Sequence, residues 1–191
     1  MRILCMGTTT HQHDFALLQP ALLRLKAEYG DRIVIDVVGM TSGDDLPRGL
    51  NRISPPASAW RSYPGFVQWL TSATPPWHIG LAPLLNTPFN LCKSPIKAMD
   101  YAALGLVVLA SDIPVYRGSL ADGPAGQLVP NSPAAWYAAL TWLLRNRDLR
   151  QTIAGRAREA FLAHASLATQ ATARRAALTR LLASRKTDAA A

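Results

Sequence analysis

The run KSPIKAMDYAALGLVVLASD, Lys93 to Asp112, restricts the chain to few folds, because it reads as a helix passing almost directly into a buried strand. Ser94 is a favourable N-cap, and Pro95 suits the first helical position, where a missing N–H costs nothing. Gly105 stands where a helix C-terminus wants a residue free to adopt positive φ. Leu106 to Ala110 is then a short apolar, β-branched run of the kind found in parallel strands covered on both faces.

The same alternation runs along most of the chain. Arg2 to Met6 reads as a first strand. Asp14 to Tyr29 reads as an amphipathic helix, capped by Asp14, with Phe15, Leu18, Leu22, Leu25 and Tyr29 at spacings of three and four. Arg32 to Val38 is a second strand, ended by Gly39, and a polar loop follows from Thr41 to Arg48. Asn51 to Ser54 is a short third strand stopped by Pro55 and Pro56. A short helix over Pro64 to Leu70 and a fourth strand over Ile79 to Pro83 precede the opening motif. A turn-rich connection, Gly118 to Gly126, leads to a last strand, Gln127 to Val129. Beyond it Ser132-Pro133 repeats the cap-and-first-turn arrangement, with Trp136, Leu140, Leu143 and Leu144 as an apolar face. Further helices cover Ile153 to Phe161 and Leu167 to Leu182. Strands separated by helices of this length imply right-handed βαβ units. The predicted fold class is therefore α/β: a Rossmann-like parallel sheet with helices on both faces and a helical C-terminal extension. One domain spans 1–186, with a disordered tail over 187–191.

Composition agrees with a folded domain: 49% of the 191 residues are apolar and 17% charged, a globular and not a disordered balance. No apolar run is long enough to cross a bilayer, and MRILCMG lacks a signal-peptide pattern, so a cytoplasmic location is expected. Cys5 falls inside a strand and Cys92 in a loop, without metal-ligand spacing around either. The net charge of +8 owes much to arginines late in the chain. A solvated helical face and attraction to an anionic membrane surface, at the inner face of the membrane, both fit that excess. Nucleic-acid binding is set aside because no recognition motif accompanies the charge.

Ligands of open parallel sheets bind beyond the carboxyl ends of the strands. Two loops with unusual residues fall on that rim: GTTTHQHD, Gly7 to Asp14, after the first strand, and LLNTPFNLCKS, Leu84 to Ser94, after the fourth. Gly7, Thr8, Thr9 and Thr10 allow close backbone approach and offer hydroxyls, and His11 can donate to a phosphate or a carbonyl. The free amides from Ser94 to Lys97, Ile96 among them, and the helix dipole favour an anion. Lys93 and Lys97 sit beside that end, and Asp100 lies one turn further along the same face. Cations and amides for a diphosphate, with a carboxylate for sugar hydroxyls, describe a nucleotide-sugar site. Competing readings are surface lysines, an Asp100–Lys97 pair, and Trp60, Tyr63, Phe66 and Trp69 as core instead of a stacking wall. Tyr101 is expected to pack beneath the site. There is no P-loop, HExxH or G-x-S-x-G elbow, and the one acidic pair, Asp44-Asp45, lies in a polar loop. No metal site is expected.

These motifs resemble a known family. SPIKAMDYAALGLVVLASD is similar to the SPxKxxEYxAxGxPVxAS segment in the C-terminal, donor-binding domain of GT-B glycosyltransferases of the GT4-like group. GTTTHQHDFALLQPAL resembles the GTxTHxxDFxLxxPAL stretch that opens that domain in some bacterial members. The resemblance implies the donor half of a retaining, metal-independent enzyme of polysaccharide biosynthesis. It implies no cofactor beyond a nucleotide diphosphate sugar substrate, and a glycan or lipid-linked acceptor held by a separate N-terminal domain or partner chain. By the same match Asp100 takes the place of the ribose-binding carboxylate, one methylene shorter than the usual glutamate. Lys97 is placed near the diphosphate, the Gly7 to Thr10 turn faces the donor phosphates, and Ser94 and Ile96 offer amides. A second glutamate common in the family falls at Cys92, and a frequent proline at Val107. No catalytic residue is identifiable. The alternatives are a non-catalytic nucleotide-sugar-binding or interaction module that keeps the fold and, third, a sugar-nucleotide epimerase.

Overall fold

The structure, a computed structural model, describes residues 1–42, 46–72 and 76–188, with side chains to Leu182. The Asp44-Asp45 pair and residues 189–191 of the expected tail lie outside the described residues. Six parallel strands form one sheet: β1 (Arg2–Met6), β2 (Val34–Val38), β3 (Asn51–Arg52), β4 (Ile79–Ala82), β5 (Val107–Ser111) and β6 (Gly126–Val129). Their order across the sheet is β3-β2-β1-β4-β5-β6. The strand boundaries follow the apolar runs to within a residue or two.

Alternate strand residues feed two separate cores, as the period of two requires. Ile3, Cys5, Ile35, Val37, Ile79, Leu81, Val107 and Leu109 pack on one face against α1 (Gln12–Tyr29) and α6 (Pro133–Arg145). Leu4, Met6, Val38, Ala82, Val108 and Ala110 pack on the other. Their partners there come from α3 (Tyr63–Ser72), α5 (Ile96–Ala103) and α7 (Arg147–Ala160). Two four-residue helices, α2 (Ala57–Trp60) and α4 (Pro88–Leu91), sit in the rim loops. A π-helical turn, Phe161–Ala165, links α7 to α8 (Leu167–Asp188). From Ala171 to Leu182 nearly all of α8 is exposed, leaving Leu178, Leu181 and Leu182 in solvent.

Winding runs outward from β1 toward β3 and from β4 toward β6, so the β1–β4 seam is the topological switch point. That ladder pairs Ile3 with Ile79, Leu4 with Gly80 and Cys5 with Leu81, and goes no further. Beyond it Met6 continues to pair with Val38 of β2. The Tyr101 hydroxyl fills the gap between the parted strands, accepting from Met6 N (3.0 Å) and donating to Leu81 O (3.0 Å). The ring lies over Gly80, where a Cβ would come within 2.2 Å of Tyr101 Cγ. Only glycine admits the ring at this depth. On the same face of the sheet, in register with Leu4, Asp36 is buried and accepts from Arg2 Nε (3.0 Å), Trp77 Nε1 (2.8 Å) and Asn51 Nδ2 (3.2 Å).

Three helix starts differ from expectation. Helix α7 begins at Arg147 and not at Ile153. Helix α1 begins at Gln12, with His11 and not Asp14 as its cap residue. Helix α5 begins at Ile96, with Pro95 and not Ser94 in the cap position, and without a side-chain cap. The reason is α4, capped by Thr87 Oγ1 on Asn90 N, which curls the preceding chain so that Lys93 N bonds Asn90 O. Ser94 becomes the connector between two helices. The C-terminus of α5 is as expected: Gly105 has φ +69°, and Leu106 N bonds Tyr101 O in a Schellman closure. Cys5 is buried and its thiol is pushed up to about 12 by desolvation, with Lys97 opposing, whereas Cys92 is exposed.

Replacing Tyr101 by Phe keeps the ring but strips two buried backbone groups of their partner. Urea unfolding should show a loss of about 1–3 kcal/mol with an unchanged denaturant slope.

Candidate functional site

The rim of the sheet at the switch point holds two adjoining cavities. One, of about 340 Å³, is lined by Gly7, Thr8, His11, Trp60, Tyr63, Phe66, Ile96, Lys97 and Asp100, among others. The second, of about 310 Å³, shares His11, Ile96 and Lys97 and adds Lys93, Ser94 and Tyr116. Eight of the ten residues singled out from the sequence thus border one continuous depression. Thr9 and Thr10 border neither cavity. Both belong to a 3₁₀ turn, Thr9–His11, and the Thr10 hydroxyl is 2.7 Å from that of Thr8.

The two rim loops meet through Asp14. Only 3% exposed, its carboxylate accepts from Leu85 N (2.8 Å), Asn90 Nδ2 (3.0 Å) and His11 Nδ1 (2.7 Å). Burial by itself raises the carboxyl's pKa. The His11 bond, the Leu85 amide and the Lys93 charge outweigh it, and the value falls below the usual aspartate range. Asp14 therefore braces the loop after β1 to the loop after β4, the place of the helix cap expected from the sequence being taken by His11. His11 in turn has its Nδ1 committed to Asp14, so a neutral imidazole presents Nε2 as its remaining polar atom. Lys93 Nζ lies 3.4 Å from the same Nδ1 and 4.9 Å over the Phe89 ring.

Lys97 stands at the junction of the cavities. Its ammonium makes no hydrogen bond or ion pair among the described residues. A Cβ on Gly7 would lie 3.4 Å from its Nζ and 2.5 Å from Met40 Sδ, so the glycine lets backbone and amine share the space. Desolvation lowers the Lys97 pKa to about 8, Lys93 adding to the fall and Cys5, Asp14 and Asp100 opposing it. An amine held out of water without a counter-ion is a strong attractor for an anion. The first amides of α5, at Ile96 and Lys97, are the orphan donors of a helix N-terminus and open on the same space.

Asp100 does not pair with Lys97. The Tyr63 hydroxyl donates to its Oδ1, and burial raises the Asp100 pKa against that bond and the Lys97 charge. Tyr63 and Trp60 are 51% and 55% exposed, so these two aromatics belong to the cavity wall and not to the core. Trp60 stacks on Phe66 at 5.8 Å between ring centroids, and Phe66 leans on Trp69, which packs against the sheet as expected. Helical spacing suggested core for all four. The short helix α2 ends at Trp60 and turns that ring outward over Gly39, 3.7 Å from where a Cβ would stand.

A family model described as glycosyl transferases group 1 matches residues 1–146. No curated protein sequence matches significantly. Among solved structures, a glycosyltransferase from Rickettsia africae superposes with a TM-score of 0.68 at 16% identity, over 95% of this chain and 48% of that one. The C-terminal domain of a group 1 family protein, LpcC from Francisella tularensis, gives 0.60 at 17%, over 87% and 85%. Anabaena Alr3699/HepE, solved with UDP and glucose, gives 0.66 at 12%, over 92% and 48%. The chain therefore spans about half the length of the first and third, and most of the isolated domain. At these identities the likeness is one of fold.

The Asp14 brace has a pH signature. Its folded pKa is depressed, so the stability it contributes is complete above the unfolded aspartate value, about 4, and drains away as pH falls below it. Urea midpoints measured from pH 6 to pH 3 should fall less steeply for Asp14→Asn than for wild type.

Proposed function

This chain belongs to the group 1 glycosyltransferases, and we propose that it is the donor-binding half of a retaining, metal-independent member that uses a nucleotide diphosphate sugar. The carrying observation is Lys97: a largely desolvated amine without a partner, between a glycine turn and a helix N-terminus, in an aromatic-walled cavity at the switch point. In this reading the diphosphate lies against Lys97 and the Ile96 and Lys97 amides, with Lys93 and His11 Nε2 bordering the adjoining cavity. Gly7 and Thr8 approach it from the β1 side, while Thr9, Thr10 and Ser94 shape the rim. Asp100 receives the ribose, and Trp60 with Phe66 offers a face to the base.

When the bond from the anomeric carbon to the diphosphate breaks, negative charge grows on the leaving oxygens. Lysines and amides already aimed there stabilise that charge without rearranging. The acceptor, a glycan or a lipid-linked saccharide, would enter from a second α/β unit facing this rim, and residues acting on the acceptor would belong to that unit. Among the described residues no helix is long and apolar enough to cross a membrane. Attraction to an anionic inner-membrane surface is supported by α8, which carries Arg174, Arg175 and Arg180 and no acid before Asp188.

Calorimetric titration with UDP, GDP and ADP, in the presence of EDTA, tests the proposal. Binding of at least one is expected, and no binding to any would make the chain a non-catalytic relative of the fold. Lys97→Ala should weaken that binding by about 1–3 kcal/mol, the range for a charge-assisted hydrogen bond. Because the free amine titrates near 8 and a bound diphosphate raises that value, affinity should be full below pH 8. Above it affinity should fall by at most about tenfold per pH unit, a fall that Lys97→Ala abolishes.

A further inference from the structure

The carboxylate assigned to the ribose already has a partner. Tyr63, in the first turn of α3, reaches across to α5 and donates its hydroxyl to Asp100 Oδ1. Among the described residues this is the one hydrogen bond to that carboxylate. The bond lies between two spaces: the aromatic-walled cavity and an apolar groove of about 690 Å³, and Tyr63, Ile96 and Asp100 line both. Tyr63 is half exposed, and the start of α3 is secured without its hydroxyl. Gly65 N bonds Ser62 Oγ, Phe66 N bonds Ser62 O, and the Phe66 ring is stacked on Trp60.

What the phenol gives Asp100, an O–H aimed at a carboxylate oxygen, is what a ribose hydroxyl would give it. We propose that Tyr63 determines how strongly the site recognises ribose: its hydroxyl holds Oδ1 of Asp100, and a ribose hydroxyl that takes that oxygen must displace it. The inference rests on the reading of Asp100 as the ribose carboxylate. Exchange of one O–H for another yields little net free energy, so the ribose contributes less than it would against an unoccupied acid. A nucleotide without those hydroxyls leaves the phenol in place and forfeits little. Tyr63 thereby flattens the difference between ribo- and deoxyribonucleotides and leaves affinity to the diphosphate end.

Tyr63→Phe removes the competing O–H and keeps the ring. Titrations of wild type and variant with UDP, GDP and ADP, and with the 2′,3′-dideoxy form of whichever binds, should show the ribonucleotide tightening about 5- to 10-fold. The dideoxy form should stay within about twofold. In an Asp100→Asn background the gain from Tyr63→Phe should vanish. An unchanged or weaker ribonucleotide affinity in Tyr63→Phe overturns the proposal, as does a gain that persists without the Asp100 carboxylate or extends equally to the dideoxy form. Loss of binding in Asp100→Asn with no gain in Tyr63→Phe refutes the role of Tyr63 while keeping the ribose reading. No effect of either substitution, or no binding by any of the proteins, removes both.

Discussion

Where β1 and β4 part, Met6 N–H and Leu81 C=O lose their ladder partners inside the protein, and the Tyr101 hydroxyl restores both. A crevice at a switch point is a consequence of topology, but an open crevice with unpaired backbone would be costly. Closing it with a side chain and not a third strand keeps the space beyond the strands available. The same bond fixes α5 in depth and rotation, because Tyr101 lies on it one residue after Asp100 and four after Lys97. Gly80 is the complementary requirement, since any side chain there would push the ring, and the helix with it, away from the sheet.

Charge on the rim is arranged with one deliberate imbalance. Asp14 is saturated by an amide, an amide side chain and an imidazole, and this binds two loops far apart in sequence into one wall. Lys97, the second residue of α5, receives no comparable partner and stays a cation at neutral pH in a poorly hydrated place. The brace commits the Asp14 carboxylate to other donors, so it makes no ion pair with that amine. Asp100, the nearest candidate on the same helix face, is held by Tyr63.

Most of the architecture was legible from local rules. Apolar β-branched runs gave the strands, spacing of three and four gave α1, and Gly105 marked the end of α5 at positive φ. Convergence of the two rim loops followed from strand polarity alone. What could not be read locally were contacts made at long range by residues with respectable local roles. Asp14 looks like a cap because caps and buried acceptors use the same residue type, and its partners Leu85 and Asn90 are about 70 residues away. Ser94-Pro95 looks like a helix start, yet α4 immediately before it uses up the turn. Trp60 and Tyr63 have the composition of core, and the two-residue gap between α2 and α3 leaves them facing the cavity. Asp36, in a run of valines, gives no outward sign that it gathers donors from Arg2, Asn51 and Trp77.

The two thiols differ in a way that makes the chain its own probe. Cys92 lies open on the rim loop, whereas Cys5 sits within β1 with its thiolate suppressed by burial. A maleimide at neutral pH therefore modifies the first at once and the second only when the central strand is released. The lag between the two modifications times the opening of the sheet itself, with no engineered label.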